Sequence, residues 1–219
     1  TLETVCNTKI DTLDDLKSAL AARVAYFRSK DCRIADHGMD YMVYREASDM
    51  ALDIAFHKAI GNRCYIIPGH DLSTKEKLDQ FIEDVNRLQP LLKAEGIEMG
   101  FHNHSREFLP NEDGIIAHLE MQKRTNIKFE IDTFWAYAAG KDPIALLERL
   151  GDRVSVIHLK DGLANGQGKA LGEGTAPVAA VREKAIELGM TMVVESEGLE
   201  PDGISEVGRC MDWLKSLEA

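Results

Sequence analysis

Cysteine is scarce in this chain of 219 residues, which has four copies: Cys6, Cys32, Cys64 and Cys210. None of them forms a Cys-x-x-Cys pair, so we expect no structural zinc site. Widely spaced, unpaired cysteines are typical of a reducing compartment, and we expect a cytoplasmic protein.

Two further features are missing. No stretch approaches the roughly 18 uninterrupted apolar residues of a membrane-spanning helix. No Lys/Arg cluster offsets the formal net charge of −11, and such an acidic chain repels a phosphate backbone. We therefore expect neither a membrane nor a nucleic acid as partner.

Strand-like and helix-like segments alternate along the chain. The strand-like segments, which are β-branched or apolar and bounded by turn residues, are 4–9, 33–38, 63–67, 97–104, 127–132, 154–160 and 190–195. The helical segments are 13–30, 45–60, 73–94, 114–123, 143–150, 177–188 and 204–217. Alternating βα units predict a parallel sheet. No Gly-x-Gly-x-x-Gly follows a strand, which disfavours an open dinucleotide-binding sheet and favours a (β/α) TIM-type barrel.

A full barrel of this type has eight strands and usually about 250 residues. With about seven strands in residues 1–219, we expect one domain whose barrel is incomplete at the N-terminus. Such a barrel has an open edge that invites pairing. We therefore expect a homodimer, or a segment that closes the gap.

Polar residues with metal-binding atoms lie at or within two residues of the C-terminal end of four of the predicted strands: His102, Asp132, His158 and Glu195. The C-terminal ends of parallel barrel strands meet at one mouth, so these side chains should converge. Imidazole and carboxylate groups together form a nitrogen and oxygen site for a divalent metal. Glu197 has the same strand parity as Glu195 and is an alternative ligand.

Three other residues are candidates for substrate contact. His37 ends a predicted strand, Trp135 offers an apolar wall for a sugar ring, and Glu173 lies in the glycine-rich loop 161–175. Long loops within compact domains are often functional. Each has an ordinary structural alternative: a surface loop for His37, the core for Trp135 and a solvated acid for Glu173.

A family resemblance rests on several blocks of sequence. Phe-His-Asn-His-Ser-Arg-Glu-Phe at 101–108 resembles the Tyr-His-Asn-His-x-x-Glu-Phe segment of the xylose-isomerase-like TIM-barrel superfamily, the sugar-phosphate isomerases and epimerases. Further blocks follow in the order of that family at 132–135, 139–143, 153–161, 171–174 and 193–195.

The resemblance implies one divalent metal (Mn, Mg, Co or Zn) held by Glu, Asp, His and Glu on successive strands. Asp132, His158 and Glu195 match the last three positions, whereas His102 stands where the family has its first glutamate. If His102 is not a ligand, Glu107 or a water fills that position.

The resemblance also implies a reaction. In related epimerases, two metal-bound glutamates move a proton on and off a carbon beside a carbonyl through an enediolate. Here only Glu195 matches that pair, so His104 or Lys160 becomes the candidate for the second group.

We therefore expect a metal-dependent isomerase or epimerase of a small sugar or polyol. The alternatives are a dehydratase (lyase) acting on a keto-polyol with the same site, or a catalytically impaired sugar-binding barrel. A metal-dependent DNA-repair endonuclease is a third reading, and the net charge of −11 disfavours it.

Overall fold

The computed structural model describes residues 2–29, 54, 57–58 and 61–218. Helices α1 (Leu2–Cys6) and α2 (Leu13–Ser29) precede the sheet. The elements that follow are β1 (Cys64–Ile67), α3 (Lys75–Ala94), β2 (Glu98–His102), α4 (Ala117–Arg124), β3 (Lys128–Asp132), α5 (Thr133–Ala138), α6 (Pro143–Leu150), β4 (Val154–Leu159), β5 (Asp161–Gly162), β6 (Gly168–Lys169), α7 (Val178–Glu187), β7 (Met192–Val194) and α8 (Gly203–Ser216). Single 3₁₀ turns lie at Ser105–Phe108 and Gly151–Arg153. None of the helices in these ranges has both the length and the apolar character needed to cross a bilayer.

Five parallel strands form the main sheet in the order β1-β2-β3-β4-β7, and β5 pairs with β6 in a separate antiparallel hairpin. Apart from that hairpin, neighbours in the sheet follow one another in the chain. The strand order therefore never reverses, as it does in an open doubly wound sheet. The sheet curls into a half-barrel with helices outside it, which confirms the predicted incomplete TIM-type barrel.

The predicted strand over 4–9 is wrong, because α1 occupies its first half. Asn7 ends this helix with a left-handed φ of 48°, and its N–H donates to the carbonyl of Thr4. Asparagine tolerates that conformation at a helix end, which outweighs the weak strand preference of Thr4 and Val5. The predicted strand over 33–38, with His37, lies outside the described residues.

The strands of the sheet have two different faces. On β3, Phe129 and Ile131 are fully buried towards the helices, and Phe129 stacks on His118 of α4 at 4.7 Å between ring centroids. Glu130 and Asp132 alternate with them and point to the interior of the half-barrel. The apolar core therefore lies between sheet and helices, and the inner face is free to carry polar chemistry.

Arg153 fastens the N-terminal ends of these strands. Its guanidinium donates to the carbonyls of Ile127 at 2.8 Å, Gln122 at 2.7 Å and Thr125 at 3.2 Å. These bonds satisfy carbonyls at the C-terminal end of α4 and in the segment that leads from it to β3. Further towards the C-terminal end of β3, the register between β3 and β4 shifts between Phe129 and Glu130. A shift of this kind re-aims the next side chain, here Glu130.

Asp161 organises the long loop after β4. Its carboxylate accepts backbone N–H groups from Gly162 at 2.7 Å, Gly172 at 2.9 Å, Gly174 at 3.0 Å and Ala176 at 3.2 Å. A Cβ at position 174 would lie 2.1 Å from Asp161 Oδ1, so this approach requires glycine. The buried carboxylate thus fixes the part of the loop that follows the β5–β6 hairpin.

The same loop rests on α8. Glu173 accepts a hydrogen bond from Arg209 Nε at 2.8 Å. Gly172 has a φ of 84°, and a Cβ there would lie 2.2 Å from the ring of Trp213. The loop backbone is therefore pressed against the indole, and α8 supports the loop from the outside.

His118 is a buried, neutral histidine of the core. Its ring lies 4.4 Å from that of Phe108, and its Nδ1 lies 2.6 Å from Gln122 Nε2. Burial, aided by the charges of Arg149 and Arg153, lowers the pKa of His118 from 6.5 to about 3. The folded state therefore binds this proton more weakly than the unfolded chain does.

We predict that His118 contributes to acid sensitivity. Its neutral form is fully compatible with the fold above pH 6.5, and stability is lost as the pH falls from there towards 3. One such proton changes the free energy of unfolding by at most about 1.4 kcal/mol per pH unit. Urea unfolding of His118→Gln between pH 7 and 4 should show a shallower decline than the parent; equal slopes would contradict this.

A second prediction concerns the loop. Asp161→Ala leaves four backbone N–H groups without their acceptor, so the loop should open more often. Trypsin cleavage after Lys169, which lies within the loop, should become about tenfold faster or more. Asp212→Ala, at an exposed site on α8, is the control and should leave the cleavage rate unchanged. A rate in Asp161→Ala that equals the control would refute the role of Asp161.

Candidate metal centre and active site

Polar side chains from four strands gather at the C-terminal edge of the sheet. β2 ends in His102 and β3 in Asp132, His158 is the fifth residue of β4, and Glu195 directly follows β7. Since all these strands run in parallel, their carboxyl ends bring residues distant in sequence to one place. The structure thus brings together the four residues predicted as metal ligands.

Asp132 is the deepest of the carboxylates and is fully buried. Its Oδ1 accepts the backbone N–H of Trp135 at 2.9 Å, which also starts α5. The side chain of Asn103 bonds both the backbone N–H and the carbonyl of Asp132, at 3.1 and 3.0 Å. Asp132 Oδ2 points into the cluster and lies 3.3 Å from Lys160 Nζ, a contact that lacks hydrogen-bond geometry.

His158 joins two carboxylates through its two ring nitrogens. Nδ1 lies 2.9 Å from Glu195 Oε2, and Nε2 lies 3.4 Å from Glu130 Oε1. Burial lowers the pKa of His158, but the bonds to Glu130 and Glu195 outweigh it and raise the pKa to about 10. Ligand atoms of Asp132, His158 and Glu195 all lie within 4.8 Å of one another.

Glu130 is a member of the cluster that the sequence interpretation missed. It is buried, and its Oε2 lies 3.1 Å from His102 Nδ1. Together with His102 and His158 it forms a second group whose ligand atoms lie within 4.8 Å of one another. The signal was present in the sequence: Glu130 has the strand parity of Asp132, and a glutamate inside an apolar strand is rarely buried without a partner.

Lys160 is the cation of the cluster, and only 1% of its side chain is exposed. Its Nζ lies 3.3 Å from Asp132 Oδ2 and 3.1 Å from Glu195 Oε2, and it also contacts Glu197. Burial opposes the charge of Lys160, yet these carboxylates raise its pKa. Burial likewise raises the pKa of Glu195, but the bond from His158 and the charge of Lys160 bring it down to about 2.

Two aromatic groups border the cluster. His104 follows β2, and its ring centroid lies 4.8 Å from that of His102 and 6.0 Å from that of Trp135. Burial, with the neighbouring His102 and Arg106, lowers the pKa of His104 to about 4. Trp135 also lies beside Lys160, with 5.0 Å between Nζ and the ring centroid. Both residues are therefore at the edge of the candidate site.

The remaining sequence candidates lie elsewhere. Glu173 contacts Arg209 on α8 rather than the cluster. Glu107 is buried within the turn that follows His104; it accepts the backbone N–H of His104 at 2.7 Å and Arg106 Nε–H at 2.8 Å, so both of these hydrogen bonds stabilise the turn. Glu197 reaches the cluster through Lys160. The substrate roles of His37, Trp135 and Glu173 stay predictions.

The cluster fits a divalent cation. Glu130 Oε2 lies 3.1 Å from His102 Nδ1 and Asp132 Oδ2 lies 3.3 Å from Lys160 Nζ, but these buried atoms contact one another without hydrogen-bond geometry. Buried polar atoms left in that state cost free energy, and a cation would satisfy them. Carboxylate oxygens with imidazole nitrogens are a donor set suited to Mn, Co or Zn, and the carboxylates also suit Mg.

Similarity to curated proteins is confined to parts of their length. A uronate isomerase from Caldanaerobacter subterraneus is 35% identical over 80 residues, 36% of this chain and 16% of that protein. An inosose dehydratase from Clostridium beijerinckii is 25% identical over 118 residues, 54% of this chain and 40% of that protein. The chain thus spans less than half the length of these relatives.

Similarity of structure extends further. A sugar phosphate isomerase/epimerase from Parabacteroides distasonis superimposes with a TM-score of 0.68 at 22% identity, covering 87% of this chain and 76% of that one. At this identity the likeness shows the fold alone. The sequence model of the family described as xylose isomerase-like TIM barrel matches residues 43–217, well over half of the chain. The chain therefore belongs to the xylose isomerase-like TIM barrel family.

Proposed function

We propose that this chain is a metal-dependent isomerase or epimerase of a small sugar or polyol. The observation that carries the proposal is the convergence of Asp132, His158 and Glu195, whose ligand atoms lie within 4.8 Å of one another. They come from the C-terminal ends of three different strands, and two of them, Asp132 and Glu195, contact the buried Lys160. Membership of a family whose solved members include sugar phosphate isomerase/epimerases supports the substrate class.

One divalent ion (Mn, Mg, Co or Zn) would be held by His102, Asp132, His158 and Glu195, with Glu130 contacting both imidazoles. When bound, it supplies Lewis acidity to the substrate oxygens beside the reacting carbon. Glu130 adds a third carboxylate to the cluster. The negative charge that the family places at the position of His102 is thereby supplied from the next strand.

Glu195 is the carboxylate placed to act as base. Its side chain is 39% exposed, whereas Asp132 and Glu130 are buried, so Glu195 alone among these three can reach a substrate from the mouth. His158 and Lys160 both donate to its Oε2, at 2.9 and 3.1 Å, and fix its direction. It would take the proton from the carbon beside the carbonyl, leaving an enediolate.

Lys160 is the candidate for returning the proton. Its ammonium group is hydrogen-bonded to Glu195 and is therefore close to the carbon from which Glu195 removes the proton. His104 lies beside Trp135 and can bond a substrate hydroxyl while the indole packs on the sugar ring. Protonation of the neighbouring carbon, with the hydroxyl proton passing to the former carbonyl oxygen, completes an isomerisation; protonation of the same carbon from the other face completes an epimerisation. Glu195 then gives its proton to Lys160 through their hydrogen bond.

A dehydratase is the second candidate, favoured by the alignment with an inosose dehydratase over 54% of this chain. The first step is the same: Glu195 takes the proton beside the carbonyl. The hydroxyl on the next carbon then leaves with a proton from Lys160 or His104 as water, and a carbon–carbon double bond forms. No oxidant or reductant is required.

We predict that Glu195→Gln abolishes proton abstraction with the fold intact. In D₂O with Mn²⁺, the parent should incorporate deuterium beside the carbonyl of a keto-sugar, measured by proton NMR over a panel of substrates. The amide cannot take the proton, so the rate should fall by about 10³-fold or more, at the level expected for loss of a catalytic base.

The control for this variant is Glu183→Gln, which removes an exposed carboxylate from α7. It should exchange at the parent rate, and circular dichroism should be the same for all three proteins. Exchange by Glu195→Gln at the control rate would exclude Glu195 as base. Loss of water from the substrate, seen as ultraviolet absorbance of the conjugated product, would assign the dehydratase instead.

We also predict that Glu130→Gln weakens the metal site. The substitution removes the carboxylate that contacts both imidazoles, and loss of such a partner lowers metal affinity by about 10- to 100-fold. Isothermal titration with Mn²⁺ or Zn²⁺ measures the change, with Glu183→Gln again as control. A parent protein that binds neither ion would contradict the proposed function and favour the catalytically impaired sugar-binding barrel.

A further inference from the structure

Asn103 lies between two histidines of the candidate site, His102 and His104, yet its own side chain bonds the backbone of the neighbouring strand. The side chain is fully buried. Its Nδ2 donates to the carbonyl of Asp132 at 3.0 Å, and its Oδ1 accepts the backbone N–H of the same residue at 3.1 Å. One amide group thus binds both polar groups of one backbone residue, and we call this pair of bonds the Asn103 clamp.

The Asn103 clamp begins where the ladder between β2 and β3 ends. The last paired residues of these two strands are His102 and Glu130. On its other side, β3 stays paired with β4 for two residues more, up to Asp132 and His158. A primary amide offers a donor and an acceptor, as a peptide group does. The side chain of Asn103 therefore holds the end of β3 on the side where the backbone ladder has stopped.

Further bonds restrain the same strand end. Asp132 Oδ1 accepts the backbone N–H of Trp135 at 2.9 Å. The hydroxyl of Thr133 donates to the carbonyl of His158 at 3.0 Å, which ties the next residue to β4. With Oδ1 engaged and the backbone held from both neighbouring strands, Asp132 Oδ2 faces the cluster, where it lies 3.3 Å from Lys160 Nζ.

The direction of Asp132 Oδ2 matters because this carboxylate is one of the candidate metal ligands. Partners that orient a ligand without touching the metal typically change metal affinity by about 10- to 100-fold when they are removed. Loss of the Asn103 clamp would leave the buried N–H and carbonyl of Asp132 without these partners. Such groups are costly, so the backbone would shift to find others and would move the carboxylate with it.

We propose that Asn103 is a positioning residue of the metal centre: by clamping the backbone of Asp132, it aims Oδ2 at the cation. This role rests on the proposed function, and Asn103 acts only through Asp132. The replacement must offer both a donor and an acceptor at the same length. Leucine has a similar volume but neither group, and glutamine carries both groups one methylene further from the backbone.

Asn62 offers a matched control at the other end of the sheet. Its side chain is also buried, and it makes the same pair of bonds to one backbone residue. Nδ2 donates to the carbonyl of Cys64 at 2.9 Å, and Oδ1 accepts the N–H of Cys64 at 3.0 Å. Cys64 is the first residue of β1, whereas the cluster lies at the C-terminal edge of the sheet. A variant of Asn62 therefore loses the same bonds far from the metal centre.

The test is titration of the metal-free protein with Mn²⁺ by isothermal calorimetry, for the parent, Asn103→Leu and Asn62→Leu. Both substitutions remove two backbone hydrogen bonds of a buried amide, so both should lower the midpoint of urea unfolding. Only Asn103→Leu should weaken Mn²⁺ binding, by about 10- to 100-fold. Equal Mn²⁺ affinity in the two variants overturns the proposal.

Bound Co²⁺ supplies a second readout, because its visible absorption depends on the number and arrangement of its ligands. At saturating Co²⁺, the spectrum of Asn103→Leu should differ from that of the parent, since Asp132 Oδ2 is misplaced. The spectrum of Asn62→Leu should match the parent. A purely structural role of Asn103 would leave all three spectra alike, and that result counts against the proposal.

A conservative pair of variants keeps the test decisive if Asn103→Leu does not fold. Asn103→Gln retains a donor and an acceptor but displaces both, so its Mn²⁺ affinity should be lower than that of the parent and higher than that of a folded Asn103→Leu. Asn62→Gln is the matched control. Without a folded Asn103→Leu, equal affinity in Asn103→Gln and Asn62→Gln overturns the proposal.

Hydrogen exchange separates this role from the proposed function, because it needs no metal. In the metal-free protein, peptides that contain residues 132–135 should exchange faster in Asn103→Leu than in the parent or in Asn62→Leu. If the parent binds no metal, the proposed function fails, and faster exchange at 132–135 still shows that Asn103 positions Asp132. If the parent binds Mn²⁺ and the two leucine variants agree in affinity and in exchange, the proposed function stands and the role of Asn103 fails.

Discussion

The inner face of this half-barrel depends on one buried balance of charge. Four carboxylates and two imidazoles converge with the ammonium group of Lys160, which contacts Asp132, Glu195 and Glu197, while Glu130 contacts the imidazoles. Removing a charge from water is costly and is offset only where partners lie in contact. The charged groups of the cluster therefore stabilise one another, and any one of them buried without its partners would destabilise the fold.

This balance explains the division between the two faces of the sheet. Phe129 and Ile131 hold β3 against the helices by apolar burial, and Arg153 fixes the strand entrances through neutral carbonyls. The energy that holds the barrel together thus comes largely from outside the cluster. The inner side chains lie outside that apolar packing and carry the charged groups.

Most of the sheet could be predicted from sequence, because each of its strands is a short segment, either apolar or alternating apolar and polar, that is bounded by turn residues. The predicted strand over 4–9 was wrong because this segment has no such pattern. The strand preference of Thr4 and Val5 was outweighed by Asn7, which ends a helix in the left-handed conformation. Helix α5 was also missed, since it has six residues and is started by Asp132, a residue interpreted only as a ligand. A short helix started by a side-chain cap shows no hydrophobic periodicity in the sequence, so it could not be recognised from the residue pattern.

The site residues at the C-terminal ends of strands could be predicted from the sequence, whereas a site residue within a strand could not. His102, Asp132, His158 and Glu195 could be named from position, but Glu130 lies two residues before a strand end and is aimed by a shift in register. The register between two strands depends on tertiary packing, and the sequence of one strand alone does not determine it. Glu173, read as a mouth residue from its loop, is instead bound by α8.

That last contact has a wider consequence. Gly172 is pressed on Trp213 and Glu173 is bound by Arg209, so α8 holds the loop 161–175 in place. The same loop lies against Trp135 at Gly166 and against Glu197 at Gly168, both of which border the cluster. A change in the tilt of α8 would therefore be transmitted through the loop to the edge of the candidate site.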